Sequence, residues 1–268
     1  VHQSLRDQVA VITGASRGIG AELARQWAAG GARLVLAARD EAALGAVARE
    51  CRRLGAEAEA IPADVAVEED CRRLIGRAVA RFGRIDILVN NAGATMWARV
   101  DEIRDLGMLA RIMQVNYMGA VYCTALALPH LKATRGRIVG IASLTGLTGV
   151  PTRSGYAASK HAMRGFFDSL RIELEGSGVT VTMIYPGFVA TGIRENATGP
   201  EGTPVRIDPL DPDRVMSAAD CARQTTGAVE RRARELVMTP RGRLAQWLKV
   251  LAPGLVDRIA RRTIERGY

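Results

Sequence analysis

Tyr156-Ala157-Ala158-Ser159-Lys160 places a phenol and an ammonium four residues apart, on one helical face and one turn from each other. A free phenol titrates near about 10 and is a poor proton donor or acceptor at neutral pH; a neighbouring positive charge favours phenolate and brings it toward acid–base work. Taken alone, the pair suits an exposed helix surface equally well. Lysine is scarce in this chain, with only Lys132, Lys160 and Lys249 among 37 basic residues, so a lysine inside a chemical motif carries information. Ser143 follows an apolar run over 137–142, at the carboxyl end of a strand, where open α/β sheets bind ligands, and a hydroxyl there can polarise a carbonyl. Asn116 interrupts a helical stretch between Val115 and Tyr117, as either a fault of propensity or a functional kink.

A second constellation lies near the start. Thr13-Gly14-Ala15-Ser16-Arg17-Gly18-Ile19-Gly20 follows the first apolar run and opens the first helix. Glycines at such a turn let backbone approach a pyrophosphate that meets the helix N–H groups and the positive end of the helix dipole. At the end of the second strand, where a carboxylate would accept the ribose 2′-hydroxyl of NAD, stand Ala38 and Arg39, with Asp40 placed to cap the next helix. A guanidinium suits a 2′-phosphate, and Arg17 can reach it from the other side. Together Arg17 and Arg39 favour NADP(H).

The elements that must position these groups follow from periodicity. Strands are expected at 9–13, 34–38, 58–62, 85–90, 137–142, 179–185 and 235–239; helices at 21–30, 41–55, 68–82, 101–131 (interrupted near Asn116), 154–175 and 217–232, the last with Ser217 as N-cap. Strict alternation means a parallel sheet with helices on both faces. Right-handed crossovers give an α/β, Rossmann-type doubly wound sheet of order 3-2-1-4-5-6-7 in one domain over 1–239. Residues 187–213, rich in Gly, Pro and Thr, are long for a connection and read as a substrate lid. Residues 240–268 read as a helical extension of the same domain: two amphipathic helices broken at Pro253-Gly254.

Composition bounds the class. With 268 residues, 48% hydrophobic and 24% charged, the chain is globular, and the absence of an apolar run of about 18 residues argues against a membrane span. Cys51, Cys71, Cys123 and Cys221 lie far apart, each in a helical stretch, which fits a reducing cytoplasm; no basic-then-apolar leader follows Val1. No metal-ligand spacing is present and no metal is expected. Net charge is +9, without a motif that reads nucleic acid, so nucleic acid is not an expected partner. Residues 240–268 hold seven Arg/Lys against two acids.

In family order, the motif at 13–20, Asp64-Val65, Asn90-Asn91-Ala92-Gly93, Asn116, Ser143, Tyr156 to Lys160, and Pro186-Gly187 with Thr191 resemble the short-chain dehydrogenase/reductase family, in its T-G-x-x-x-G-x-G subgroup, over nearly the whole chain. The stretches 116–161 and 244–255 are similar to a membrane-associated branch that includes relatives of alkyl-dihydroxyacetone-phosphate reductase and of 11β-hydroxysteroid dehydrogenase. The resemblance implies Tyr156 as acid/base, Ser143 holding the substrate oxygen, Lys160 on the nicotinamide ribose while lowering the Tyr156 pKa, and Asn116 positioning a relay water. It further implies cofactor contacts from Gly14, Ser16, Arg17, Gly18, Ile19, Gly20, Arg39, Asp64, Val65, Asn91, Ala92, Gly93, Pro186, Gly187, Val189 and Thr191, with Asp64 on adenine, Asn91 on the cofactor floor and Thr191 near the carboxamide or pyrophosphate. Asp64 is alternatively a helix N-cap. Ala142 departs from the family pattern, where many relatives carry a second serine.

The resulting expectation is an NADP(H)-dependent oxidoreductase acting on the carbonyl or secondary alcohol of an apolar small molecule, in a homodimer or homotetramer. Met96, Trp97, Leu144, Leu147, Phe188 and Ile193 are expected around the substrate. An NADP-sensing protein without turnover is the binding-class alternative; a peripheral membrane protein acting through its tail is another. The tail stripe Leu244, Trp247, Leu248 and Leu251, beside Arg241, Arg243 and Lys249, needs a cover, for which the lid, a second subunit and lipid are the candidates.

Overall fold

In the computed structural model, residues 5–206 and 215–265 are described, with side chains through 262. Residues 207–213 of the expected lid and 266–268 of the expected extension lie outside the described residues.

Seven parallel strands form one sheet: β1 (Val9–Thr13), β2 (Arg33–Ala38), β3 (Ala58–Pro62), β4 (Ile87–Asn90), β5 (Arg137–Ile141), β6 (Thr180–Tyr185) and β7 (Glu235–Val237). Their order is β3-β2-β1-β4-β5-β6-β7, as the alternation of elements requires. The inner strands are apolar on both faces because helices cover both, and the period of two sorts their side chains. Ala10, Ile12, Leu34, Leu36, Ile87 and Val89 face one core layer with Leu23, Trp27, Leu44 and Val229. Val11, Val35, Ala37 and Leu88 face the other, with Leu74, Cys123 and Phe167. A third, small cluster packs Met96, Ala98, Met108 and Ile112 on the Tyr156 ring.

The helices are α1 (Gly18–Ala29), α2 (Glu41–Arg53), α3 (Glu68–Phe82), α4 (Gly107–Met113), α5 (Gly119–Thr134), α6 (Ser154–Glu173), α7 (Ala218–Glu230), α8 (Pro240–Leu251) and α9 (Pro253–Glu265). Their starts are written locally. Asp40 caps α2 by accepting from the Ala43 N–H, Ser217 caps α7 through the Asp220 N–H, and Thr239 caps α8 through the Gly242 N–H with Pro240 in the first turn. The four cysteines fall on α2, α3, α5 and α7 and are buried free thiols. The expected 101–131 helix is shorter at its start: residues 100–102 make a separate 3₁₀ turn, and α4 begins only where the Asp105 carboxylate accepts from the Gly107 N–H. The interruption at Asn116 is a single π-turn over Gln114–Met118 joining α4 to α5, with helical dihedrals at its flanking residues Met113 and Gly119. The break between α8 and α9 falls at Ala252, before Pro253.

The strand order reverses between β1 and β4, so the first and fourth strands part above their carboxyl ends and leave a crevice there. The sheet side of α1 is pinned to α7 by the buried Trp27 indole N–H, which donates to Thr226 Oγ1 at 2.8 Å, while that hydroxyl donates to the Ala222 carbonyl at 2.9 Å. Thr226→Val keeps the shape but strands the indole N–H, and is expected to lower stability by about 1–3 kcal/mol. Urea unfolding of the two proteins checks this.

Candidate active site

The glycine-rich turn is built by contacts that leave no room for side chains. Gly14 and Gly18 have φ of +64° and +56°, which L-residues with a Cβ rarely adopt. A Cβ on Gly14 would lie 2.8 Å from Ala92 Cα; one on Gly20 would lie 2.5 Å from both the Gly14 carbonyl oxygen and Asn91 Nδ2; one on Gly18 would lie 2.8 Å from Thr191 Cβ. The β1 turn, the segment after β4 and the segment after β6 therefore meet at backbone distance. Thr13 and Asn91 fasten them. Thr13 Oγ1 donates to the Val89 carbonyl (3.2 Å) and accepts from the Asn91 and Ala92 N–H groups (3.0 and 3.1 Å). Asn91 Nδ2 donates to the Thr13 and Gly14 carbonyls (2.9 and 3.1 Å). No side chain caps the start of α1, at Arg17, and no acid lies in its first turn, so the positive helix end is left facing outward. The cradle fits a dinucleotide pyrophosphate.

A cavity of about 1020 Å³ runs from this turn to the other chemical residues. It is lined by Gly14, Ser16, Arg17, Gly18, Ile19, Arg39, Asp64, Val65, Asn91, Ala92, Gly93, Ser143, Tyr156, Lys160, Pro186, Gly187, Val189 and Thr191. Among the expected site residues, Gly20 and Asn116 do not line it: Gly20 is packed beneath Asn91, and Asn116 lies behind the wall. Asn116 Oδ1 accepts from the Ala94 N–H at 2.7 Å, and its Nδ2 donates to the Ala94 carbonyl and to Ser159 Oγ at 2.9 and 2.8 Å. Ser159 Oγ in turn donates to the Tyr156 carbonyl. The π-turn thus lends one amide to clamp the segment after β4 onto α6.

Tyr156 and Lys160 share a face of α6, with Lys160 Nζ 5.8 Å from the Tyr156 ring centroid. Tyr156 and Lys160 are 9% and 3% exposed. The ammonium donates to the Ile141 carbonyl at 2.8 Å, at the carboxyl end of β5. Burial lowers the Lys160 pKa to about 8. Burial likewise raises the Tyr156 pKa, with the Arg153 charge and a hydrogen bond with Ser143 opposing. The phenol stands above its ordinary value, because desolvation outweighs the Arg153 charge and the Ser143 hydrogen bond;. A phenol, a hydroxyl and an ammonium gathered in one largely apolar cleft can hold a carbonyl oxygen and exchange a proton with it.

At the far end, Arg39 is exposed and makes no ion pair among the described residues. Arg17 donates to Asp40 Oδ2 at 3.1 Å, and Asp40 Oδ1 accepts from the Ala43 N–H, so the acid nearest this corner is already engaged twice. Asp64 is not the cap of α3, whose N-cap is Val67. Its carboxylate accepts from the Ala66 N–H, and Asp70 reaches back to the Asp64 N–H.

Of the apolar residues expected around the substrate, Leu144, Leu147, Phe188 and Ile193 line the cavity, joined by Val150 and Met216. Met96 and Trp97 do not. Met96 is fully buried against Tyr156, and Trp97 carries the Arg153 guanidinium 4.3 Å above its ring. Thr95, Arg153 and Arg194 also line the cavity, outside the residues expected from the sequence. Thr95 accepts from Arg153 Nη1 at 2.8 Å, Arg153 is 6% exposed just before α6, and the buried Arg194 donates to the Val189 carbonyl. Arg153 stands three residues before Tyr156, a spacing that puts both on one helix face and was the available signal. Helices α8 and α9 also contribute, through Gly242, Ala245, Gln246, Val256 and Ala260.

A dinucleotide cradle at the switch point of a doubly wound sheet, continuous with a Ser–Tyr–Lys cleft, defines a nicotinamide-dependent oxidoreductase. The chain belongs to the short-chain dehydrogenase/reductase family: the family model for short chain dehydrogenases matches residues 8–201. It is 38% identical over 256 residues to 11-beta-hydroxysteroid dehydrogenase-like 4A of Arabidopsis thaliana, covering 95% of this chain and 84% of that one. It is 36% identical over 264 residues to dehydrogenase/reductase SDR family member 7B of Mus musculus, covering 95% and 80%. Among solved structures, a short chain dehydrogenase/reductase from Burkholderia phymatum in complex with NAD superposes with a TM-score of 0.83 at 28% identity, over 94% of this chain and 96% of that one. An alcohol dehydrogenase from Thermococcus sibiricus complexed with 5-hydroxy-NADP superposes at 0.75 with 27% identity, over 86% and 95%.

The buried lysine has a consequence for stability. Below about pH 8 the folded and unfolded chains both carry its proton, and the folded chain bears the whole desolvation cost. Between about 8 and 10.5 the folded chain loses the proton first, so stability rises with pH;. Lys160→Met is therefore expected to be more stable than the parent at pH 7 by about 2–3 kcal/mol, after allowing for the lost bond to Ile141. The difference should shrink as pH rises through that window. Paired urea titrations at several pH values measure it, and a pH-independent difference would contradict the assignment.

Proposed function

We propose that this protein moves a hydride between NADP(H) and the carbonyl or secondary alcohol of an apolar small molecule. The observation that carries the reading is one continuous cavity lined at one end by the glycine-rich turn with Arg17 and Arg39, and at the other by Ser143, Tyr156 and Lys160. When bound, the nicotinamide supplies or takes the hydride. The chain supplies placement, charge and the proton. Ser143 holds the substrate oxygen, and Tyr156 gives it a proton in reduction or takes one in oxidation. Lys160, with one of its three donors spent on Ile141, has two left for the ribose hydroxyls. Asn116 acts from behind by keeping Ala94 and Ser159 in register, which fixes the height of Tyr156 in the cleft.

For the cofactor, Gly14, Ser16, Gly18, Ile19 and Gly20 form the pyrophosphate cradle, and Asp64 with Val65 flanks the adenine. Asn91, Ala92 and Gly93 make the floor, and Pro186, Gly187, Val189 and Thr191 the nicotinamide side. The preference for the phosphorylated cofactor rests on Arg39 and on Asp40, whose oxygens are occupied by Ala43 and Arg17 rather than open to a ribose hydroxyl. The Arg17–Asp40 pair is exposed and contributes little, so a 2′-phosphate can recruit Arg17 at small cost. The apolar lining from Leu144, Leu147, Val150 and Phe188 favours a lipophilic substrate, over which residues 187–206, the described part of the expected lid, close the cavity. Four buried free thiols suit the reducing cytoplasm.

NADPH oxidation against a panel of ketones, aldehydes and keto-lipids tests the function. Tyr156→Phe is expected to bind NADPH unchanged and to lose about 100-fold to 10,000-fold in kcat; undiminished turnover would rule out the assigned proton donor. Arg39→Asp is expected to move the preference toward NADH, since a carboxylate repels the 2′-phosphate and accepts a ribose hydroxyl. Tighter binding of NADH than NADPH by the parent protein would reverse the cofactor assignment.

A further inference from the structure

Helices α8 and α9 pack against each other and have two unlike sides. One side walls the cavity: Gly242, Ala245 and Gln246 from α8 and Val256 and Ala260 from α9. The approach is close, since a Cβ on Gly242 would lie 2.5 Å from Leu144 Cδ2, immediately after Ser143. The outer side is apolar and bare. Leu244, Trp247, Val250 and Leu251 are 60%, 73%, 78% and 80% exposed, and at a helical turn of about 100° per residue they fall on one arc with Arg243. On α9, Leu255 is 41% exposed, on an arc shared with Arg258 and Arg262, while Ile259 joins Val256 and Ala260 in lining the cavity. Single exposed leucines need no explanation; a contiguous patch including a tryptophan does.

Charge decides what covers it. Between residues 240 and 262 stand Arg241, Arg243, Lys249, Arg258, Arg261 and Arg262 against Asp257 alone. A second copy meeting this face about a two-fold axis would set the same cations against each other, whereas an anionic surface complements them. No helix among the described residues is long and apolar enough to cross a membrane, and an amphipathic pair with basic residues beside leucine and tryptophan is suited to lie in the interfacial plane.

We propose that α8 and α9 dock on an anionic lipid bilayer, with Leu244, Trp247, Val250 and Leu251 at the acyl boundary and Arg243, Arg258 and Arg262 among the headgroups. The docked helices are then a wall shared by the catalytic cavity and the membrane. This surface stands on exposure and charge, independent of the reaction assigned above.

Co-sedimentation of the full chain with phosphatidylcholine vesicles, with and without phosphatidylserine, tests the proposal. Binding is expected only to the phosphatidylserine vesicles, with loss at high salt and about a five-fold weaker partition for each basic residue replaced by Gln. Trp247 should shift its emission to the blue on binding, identified by difference against Trp247→Phe. The double variant Trp247→Glu, Leu251→Glu should lose the vesicles while keeping its far-ultraviolet circular dichroism and melting temperature. No sedimentation at low salt by folded full chain overturns the proposal, as does equal binding to both vesicle types. A dimer that this double variant dissociates would assign the face to a second copy of the chain instead, and would overturn it too.

Discussion

A cation buried at the end of a strand is the constraint around which this site is organised. The Lys160 ammonium reaches the Ile141 carbonyl from α6, and to do so the helix must lie directly against the carboxyl end of β5. That seat needs small neighbours. A Cβ on Gly93 would meet both Asn116 Oδ1, at 3.3 Å, and Lys160 Nζ, at 3.8 Å, and one on Gly146 would lie 3.1 Å from the Lys160 carbonyl oxygen. Asn116 and Ser159 then clamp α6 from behind, and the Tyr156 ring closes over the small cluster around Met96 and Met108. Desolvating a lysine is costly, and its cost is visible in the pKa of about 8. The position of the phenol, one helical turn away, follows from where that ammonium is held.

The second dependency is backbone contact at the switch point. Thr13 and Asn91 join β1 to the segment after β4, and Thr191 abuts Gly18. These contacts bring three chain segments, far apart in sequence, to the mouth of one cleft. The two ends of the cleft differ: the exposed Arg17 and Arg39 stand beside the glycine-rich turn, with Arg17 paired to Asp40, and the buried Tyr156 and Lys160 stand with Ser143 in a mostly apolar enclosure.

Most of the architecture was legible because it is local. Alternating apolar runs and amphipathic stretches fixed element types, the crossover rule fixed strand order, and Asp40, Ser217 and Pro253 marked helix limits within a residue or two. The motif residues other than Gly20 and Asn116 came to line one cavity, as the family spacing implies. What escaped was set by tertiary packing. The direction of the Tyr156 pKa depends on burial, which no i, i+4 spacing reveals. The alternative of Asp64 as a cap fails because it closes a turn to Ala66 while Val67 takes the cap position. Met96 and Trp97 read as substrate contacts by composition, but one is core and the other a platform for Arg153. The tail stripe read as a face needing a cover, with the lid, a second subunit and lipid as candidates, because amphipathicity gives a helix two faces without saying which partner each one meets.

If the lysine seat governs the site, an anionic dinucleotide bound beside it must raise the Lys160 pKa and draw a proton from solution. Calorimetric titration of NADP⁺ at pH 8, in buffers of different ionisation enthalpy, reads that proton directly. The account predicts uptake of up to about half a proton per site at pH 8, falling toward zero at pH 6.5 and absent in Lys160→Met. Binding with no proton uptake at pH 8, or with the same uptake in Lys160→Met, would contradict it.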